Sequence, residues 1–480
     1  MSELGITVKK NEDFAEWYTQ VVLKSGLADY APVHGCIVFR EYGYAIWEKI
    51  QRILDERIKE LGHKNVYFPL LIPEALLRKE EEHFEGFEPE VAWVTMGGDK
   101  DLGEKLAIRP TSETIMYYMF SKWIKSWRDL PLKINQWCNI VRWEIKSTKP
   151  FIRTTEFLWQ EGHTCHETYE EAEEEVMTML EVYRDLVENY LAIPVIMGKK
   201  SEGEKFAGAL YTTALETLMP DGKALQMGTS HHLGQNFAKA FDIKFMGRDG
   251  EYHYVWQTSW GVSTRLIGAV VMVHGDDRGL VLPPKIAPIQ VVIIPIYYKE
   301  EDKHIVLEYA SNIKKELEEK KITVLLDDRE ERTPGWKFNE WELKGVPLRL
   351  EIGLKEVREN KVTVFRRDLL KRIYVERDKL YNKVLELFED IHRTLYNRAK
   401  KMMDNMTTRV DTLEEFKRVL EKKRGFVVVK WCGERDCEDD IKAETGATVR
   451  VIPFEQAPPS GNCFYCGRPA RCIAYFAKAY

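Results

Sequence analysis

Between residues 287 and 405 the chain alternates strand-like and helix-like segments, and this alternation restricts the fold more than any other feature. IQVVIIPI at 289–296 reads as a strand, Asp302–Lys321 as a helix, ITVLLDD as a strand and Gly335–Lys344 as a short helix. VPLRLEIG and KVTVFRRD continue as strands, and Tyr374–Asn405 reads as one long helix. That order predicts a small α/β domain. PPKIAP at 283–288 marks a boundary just before it.

The chain ahead of that boundary mixes helices and strands. Ile46, Ile50, Ile53, Leu54, Ile58 and Leu61 recur at helical spacing over 41–61. NVYFPLLIP reads as a strand with Pro69 inside it, which signals an edge or an irregular pairing. Residues 102–109 and 132–145 read as strands, Glu167–Glu188 as an acidic helix, and 261–274 as a glycine-led turn into a helix. After the α/β unit come a short helix, the strand GFVVVKW and a cysteine cluster. The chain therefore divides into 1–286, 287–405 and 406–480, in line with its 480 residues at roughly 150 per domain.

Lys plus Arg is 71 and Asp plus Glu is 77, a net charge of −6, so the total does not announce a nucleic-acid partner. Local charge does: from Lys361 to Arg372, five basic residues face the single acid Asp368. No run reaches the ~20 apolar residues of a membrane span. MSELGITVKKNEDFAEWY lacks the apolar core of a secretory signal, and a cytoplasmic protein is expected. Of eight cysteines, Cys432, Cys437, Cys463 and Cys466 are spaced C-x4-C, a gap of 25, then C-x2-C. Four thiolates make a closed tetrahedral site for structural Zn2+, and Gly467 suits the tight turn after the second pair. Cys472 reads as a bystander.

Three ordered segments carry the chemistry: RPTSET at 109–114, QWCNIVRWEIKSTKPFIRTTEFLWQEGHT at 136–164, and GVSTRLIGAVVMVHGDDRG at 261–279. Together they resemble the three signature motifs of class II aminoacyl-tRNA synthetases. The resemblance implies an α+β catalytic domain with an antiparallel sheet, a homodimer, and use of ATP with Mg2+. Pro69 matches the dimer-interface proline, Arg142 and Glu144 the second motif, and Arg265 the third. Activation brings a carboxylate to the α-phosphate of ATP, so catalysis is positioning and charge stabilisation without a general base. Planar guanidinium groups bind phosphate oxygens in pairs. The resemblance places Arg142 at the α-phosphate and the amino-acid carboxylate, Arg153 at the outer phosphates or adenine, and Arg265 at the γ-phosphate. Thr264 stands where many members carry glutamate, a departure that favours the prolyl family.

Further matches are to the prolyl-tRNA synthetase family of archaeal and eukaryotic type, which implies proline and tRNA(Pro) as substrates. Thr111 and Glu113 match the loop that holds the substrate amino group; a secondary ammonium offers two N–H donors to a hydroxyl and a carboxylate. Trp159, Glu161, Phe206, His231, Gly261 and Ser263 match the pocket for the pyrrolidine ring and carboxylate. Gln226, Thr229 and Ser263 resemble ATP contacts. The second unit resembles the family's α/β anticodon-binding domain, where Glu340 would accept from guanine and Arg349 and Lys355 would address base edges or phosphate. The third resembles its small α+β zinc-binding domain, and the family likewise ends in tyrosine, here Tyr480.

Two other readings stand beside this one. A threonyl or glycyl synthetase shares the class, but the threonyl enzyme needs metal ligands in its amino-acid pocket and no convincing set is present. A non-catalytic tRNA-binding paralogue would have lost the phosphate arginines, whereas Arg142, Arg153 and Arg265 are all retained.

Overall fold

The computed structural model describes residues 5–81, 90–143, 145, 147–457 and 459–480. Its spine is an 11-stranded sheet. Six neighbouring strands form its catalytic part, in the order Ile196–Lys199, Tyr211–Leu218, Ala224–Gly234, Trp256–Ser263, Glu156–His166 and Leu132–Val141. Each pairs antiparallel with the next. The short Lys64–Asn65 strand joins the Leu132–Val141 edge in parallel.

Side chains alternate across these strands, so each strand serves two faces. On one face Trp260 and Val262 enter the main core. They meet Leu180 and Tyr183 of the helix Tyr169–Asn189 and Leu266 and Val270 of the helix Arg265–His274. The acidic helix forms for local reasons. Thr168 caps it by accepting from the Glu171 amide, and Glu170 and Glu171 sit in its first turn, where the helix dipole favours negative charge. Tyr183 then donates to Gln160 Oε1 at 2.6 Å, tying helix to sheet. Gly162 is required by packing, because a Cβ there would stand 2.0 Å from the Trp260 ring.

The sheet does not stop at the catalytic part. Ile452 and Pro453 of the strand Thr448–Pro453 pair with Lys199 and Gly198, and the sheet continues through Cys472–Ala477, Phe426–Trp431 and Thr407–Arg409. The C-terminal segment is thus built onto the catalytic sheet. The α/β unit is separate, a 5-stranded sheet with Val291–Ile296 at its parallel centre. Arg367 ties it to the catalytic part through a two-pronged ion pair with Asp276, at 2.6 and 2.7 Å.

Two sequence expectations are corrected. The strand read across 65–73 is broken into Lys64–Asn65 and Leu71–Pro73, with Pro69 in irregular chain between them. Buried Arg109 organises that gap, donating to the Phe68 carbonyl at 2.8 Å and to Asn139 O and Oδ1 at 2.8 and 2.9 Å. The long helix begins at Leu380 rather than Tyr374, because Lys371–Glu376 is a strand paired with Lys361–Arg366. Among the described residues no helix is long and apolar enough to cross a membrane.

Candidate active site

The catalytic sheet's second face floors a cavity of about 470 Å³. Strand register builds the floor. Trp159, Glu161 and His163 alternate along one strand and stand across from Ser263, Gly261 and Ser259 of the next. Gly261 in turn pairs with Thr229, and Ser259 with His231. Thr111 and Glu113 enter from the start of the helix Glu113–Trp123, Phe206 from the 200–206 loop, and Arg142, Gln226 and Arg265 from the other end. Every residue expected at the amino-acid end lines this one cavity, as do Gln226, Thr229 and the two arginines expected to be catalytic, Arg142 and Arg265. Arg153 is exposed in the loop between the strands Leu132–Val141 and Glu156–His166, outside the lining. Glu144 lies outside the described residues.

A charged network sits at the amino-acid end. Glu161 Oε1 accepts from Ser112 Oγ at 2.5 Å and Gln136 Nε2 at 2.9 Å, while Oε2 lies 3.1 Å from His163 Nε2. Burial disfavours the Glu161 carboxylate, but these bonds and the His163 charge hold it below the usual range. Burial likewise opposes the His163 imidazolium, yet the Glu161 bond and the Glu113 and Glu161 charges raise its pKa. For Glu113 burial dominates: it pushes the pKa up, with the Glu161 charge adding, against the lowering effect of the His163 and Arg142 charges. Its Oε2 is buried without a hydrogen-bond partner among the described residues. A buried carboxylate with an open acceptor fits an incoming ammonium group. His231 is depressed to about 3, chiefly by burial with the His163 charge adding. It therefore serves as a neutral wall, its ring centroid 4.9 Å from that of Phe206.

The other end is positive. The Arg142 guanidinium lies over the Phe157 and Trp159 rings, 5.6 and 5.8 Å from their centroids. Arg265 makes only long bonds, 3.3 Å each, to the carbonyls of Ile152 and Gln226. Burial, with the charges of Arg142, Arg450 and Arg153 against that of Glu216, lowers its pKa to about 10. A guanidinium in that positive field favours a negatively charged ligand.

The comparisons agree with the geometry. Residues 93–274 match the tRNA synthetase class II core domain (G, H, P, S and T), residues 290–387 the anticodon binding domain, and residues 413–480 the prolyl-tRNA synthetase C-terminal domain. A proline-tRNA ligase of Natranaerobius thermophilus is 57% identical over 473 residues, covering 98% of this chain and 97% of that protein. One from Alkaliphilus oremlandii is 58% identical over 468 residues, covering 98% and 96%. Proline-tRNA ligase 2 of Clostridioides difficile is 55% identical over 472 residues, covering 98% and 97%. The chain belongs to the prolyl-tRNA synthetase family.

The synthetase's four late cysteines converge, their Sγ atoms all within 4.8 Å of one another. Cys437 and Cys463 are 3.8 Å apart and Cys432 and Cys466 3.6 Å. A tetrahedron of ~2.3 Å Zn–S bonds has edges of about 3.8 Å, close to these two separations, so the four could hold a zinc ion. Cys472 bonds weakly to the Trp431 carbonyl and stands outside the cluster.

In the anticodon-binding domain Lys355 is exposed and Glu340 half-buried, accepting from Arg329. Arg349 is a correction. It is buried between the Phe338 and Phe365 rings, each 4.0 Å away, and pairs with Glu351 at 2.8 Å and Glu342 at 2.9 Å. Strand alternation turns it under the helix Pro334–Leu343, so it supports the surface that Glu340 occupies rather than reaching a base itself.

Sequence reading passed over several participants. His163 lies within FLWQEGH, and its two-residue spacing from Glu161 already placed both on one face. Ser112, Gln136 and Thr212 carry polar support that no spacing rule marks. Thr212 Oγ1 bonds His231 Nδ1 at 2.9 Å.

Proposed function

We propose that this enzyme activates proline with ATP and transfers it to the 3′ end of tRNA(Pro). The observation that carries this reading is a single cavity with an open buried carboxylate at one end and clustered guanidinium groups at the other. Glu113 and Thr111 receive the two N–H groups of the proline ammonium, while Phe206, His231 and Trp159 enclose the ring. Arg142 orients the proline carboxylate and the α-phosphate. A carboxylate oxygen attacks the α-phosphorus, the bond to pyrophosphate breaks, and Arg265 holds the departing outer phosphates with Arg153 at the rim. ATP is handled as its magnesium complex, a hard cation bound largely through phosphate oxygens. A ribose hydroxyl of the tRNA end then attacks the prolyl carbonyl and AMP leaves.

The division into 1–286, 287–405 and 406–480 assigns one task to each part: activation, anticodon reading by Glu340 and Lys355, and a structural zinc held by Cys432, Cys437, Cys463 and Cys466. The protein works in the cytoplasm as a homodimer. Exposed Tyr67, Leu71, Trp93 and Trp123 around Pro69 supply an apolar surface suited to a second copy. The deciding experiment is ATP–pyrophosphate exchange with each standard amino acid in turn. Exchange should follow proline, and a stronger response to threonine or glycine overturns the assignment.

A further inference from the structure

We propose that the C-terminal domain holds one wall of the amino-acid pocket in place through Glu438, a positioning residue for the loop that carries Glu204 and Phe206. The inference rests on reading the cavity as the proline pocket. The 200–206 loop is the first part of the 200–210 link between the strands Ile196–Lys199 and Tyr211–Leu218, and its Glu204 and Phe206 line the cavity. On its inner side the loop is held at its two ends, by the buried Lys200–Glu216 ion pair at 2.5 Å and by the Phe206 ring against that of His231, while 201–205 between them closes as a turn on itself. The Phe206 amide donates to Thr212 Oγ1 at 2.9 Å, and Lys200 pairs backbone to backbone with Thr212.

The outer side is different. The helix Arg435–Thr445 and the strand Thr448–Pro453 of the C-terminal domain meet three loop residues in turn. Ser201 Oγ donates to Glu438 Oε1 at 2.5 Å, a bond buried at both ends. Arg435 donates to the Glu202 carbonyl at 3.3 Å. Glu204 receives Lys442 at 3.3 Å and Arg450 at 3.6 Å. Arg450 is itself anchored at 2.9 Å to Glu216, which is fully buried in the catalytic sheet beside Lys200. Gly203 completes the fit, since a Cβ there would stand 2.7 Å from Glu438 Oε2. Only glycine lets the carboxylate lie against the loop backbone.

A loop held on its inner side only at its ends opens easily, and a substrate that must order it binds less tightly. Clamping from outside removes that cost before proline arrives. Glu438 acts as a hydrogen-bond acceptor and touches no substrate atom. The clamp therefore favours proline binding while leaving ATP binding alone, because the phosphate arginines lie on other elements.

The test uses the full-length enzyme and four forms: wild type, Glu438→Ala, Glu438→Gln and Ser201→Ala. KM for proline and for ATP are measured by pyrophosphate exchange. Amide hydrogen exchange of 200–206 is followed without substrates, and bound metal and melting temperature serve as fold checks. Losing this buried hydrogen bond should raise the proline KM about tenfold in Glu438→Ala and in Ser201→Ala. ATP KM should stay constant and the loop amides should exchange faster. Glu438→Gln, whose amide oxygen still accepts from Ser201, should remain near wild type. Unchanged loop exchange in Ser201→Ala, or an unchanged proline KM, overturns the proposal, and Ser201→Ala decides it should Glu438→Ala fail to fold. Wild-type enzyme without proline-dependent exchange would instead refute the pocket reading, while the loop amides still judge the clamp.

Discussion

Nε2 of His163 stands 3.1 Å from Oε2 of Glu161, two residues away on one strand, and both side chains are sealed from water. The pair forms the base of the amino-acid pocket, and Tyr117 steadies it with its hydroxyl 3.0 Å from His163 Nδ1. A buried pair of this kind is costly unless every lone pair and proton is satisfied, and here Ser112 and Gln136 complete the set.

The pair makes stability depend on pH. The His163 pKa is raised in the fold, with burial outweighed by Glu161 and Glu113. The folded protein therefore keeps a proton that the unfolded chain releases near pH 6.5. This contribution is complete below about pH 6.5 and is lost as pH rises through the raised value. Buried neutral histidines such as His231 pull the other way, so the readout is a difference: wild-type stability minus that of His163→Gln, from denaturant unfolding at about pH 5 to about pH 9, should decline as pH rises. Parallel curves would refute the assignment of charge to His163.

The phosphate end makes a sharper claim. Arg142→Ala and Arg265→Ala should each cut pyrophosphate exchange on the order of a hundredfold or more, the usual cost of one preorganised charge-stabilising donor. Circular dichroism and melting should stay near wild type, because both side chains line the cavity and, among the described residues, the Arg265 guanidinium bonds at 3.3 Å to the Ile152 and Gln226 carbonyls. Near-normal exchange in either variant removes that arginine from the mechanism.

How much of this was legible in the sequence follows from which forces are local. The arginines are legible because phosphate chemistry favours guanidinium groups, and the Glu113 loop because it matches the family's motif for an ammonium group. Their convergence came from strand register, which a period of two already implies for Trp159, Glu161 and His163. The pairing of Ile452 with Lys199 joins segments some 250 residues apart, and no local pattern announces it. The helix expected from Tyr374 takes in the end of the strand Lys371–Glu376 because Val375 runs into the apolar spacing that starts at Leu380. Arg349 was misplaced for the opposite reason. Its charge suggested a surface, while its position on a buried strand set it between two phenylalanine rings.

Glu340→Ala should weaken aminoacylation of tRNA(Pro) while sparing proline-dependent pyrophosphate exchange. Glu340 pairs with Arg329 on the helix Pro334–Leu343, in a sheet separate from the activation cavity. Steady-state charging of transcripts with altered anticodon guanines gives the readout. Unchanged discrimination would remove Glu340 from anticodon reading.

Purified enzyme prepared without chelators should carry a single zinc ion per chain, and Cys463→Ser should lose it. The C-terminal strands extend the catalytic sheet, so that loss should also lower the melting temperature of the whole enzyme. Metal analysis showing none in wild type would refute the site.

The last expectation concerns errors of amino-acid choice. Some prolyl enzymes carry a hydrolytic domain between the second and third motifs. Here the chain from Thr164 to Gly261 is fully accounted for by the helix Tyr169–Asn189, the strands Ile196–Lys199, Tyr211–Leu218 and Ala224–Gly234, a short helix and a two-stranded hairpin. None of this forms a separate unit of ~150 residues, the ordinary size of an extra domain. Selectivity must then come from the pocket alone. A cavity shaped for pyrrolidine by Phe206, His231 and Trp159 cannot exclude a smaller side chain by collision; it only withholds contacts, at roughly 1–3 kcal/mol per missing methylene. Alanine should therefore support low but measurable pyrophosphate exchange, and cysteine somewhat more. The enzyme should leave preformed alanyl-tRNA(Pro) intact, so that clearance falls to a separate hydrolase. Deacylation is followed by adding enzyme to labelled alanyl-tRNA(Pro). Hydrolysis well above the spontaneous rate, and undiminished when a prolyl-adenylate analogue fills the cavity, would reveal a second catalytic site that this fold does not provide.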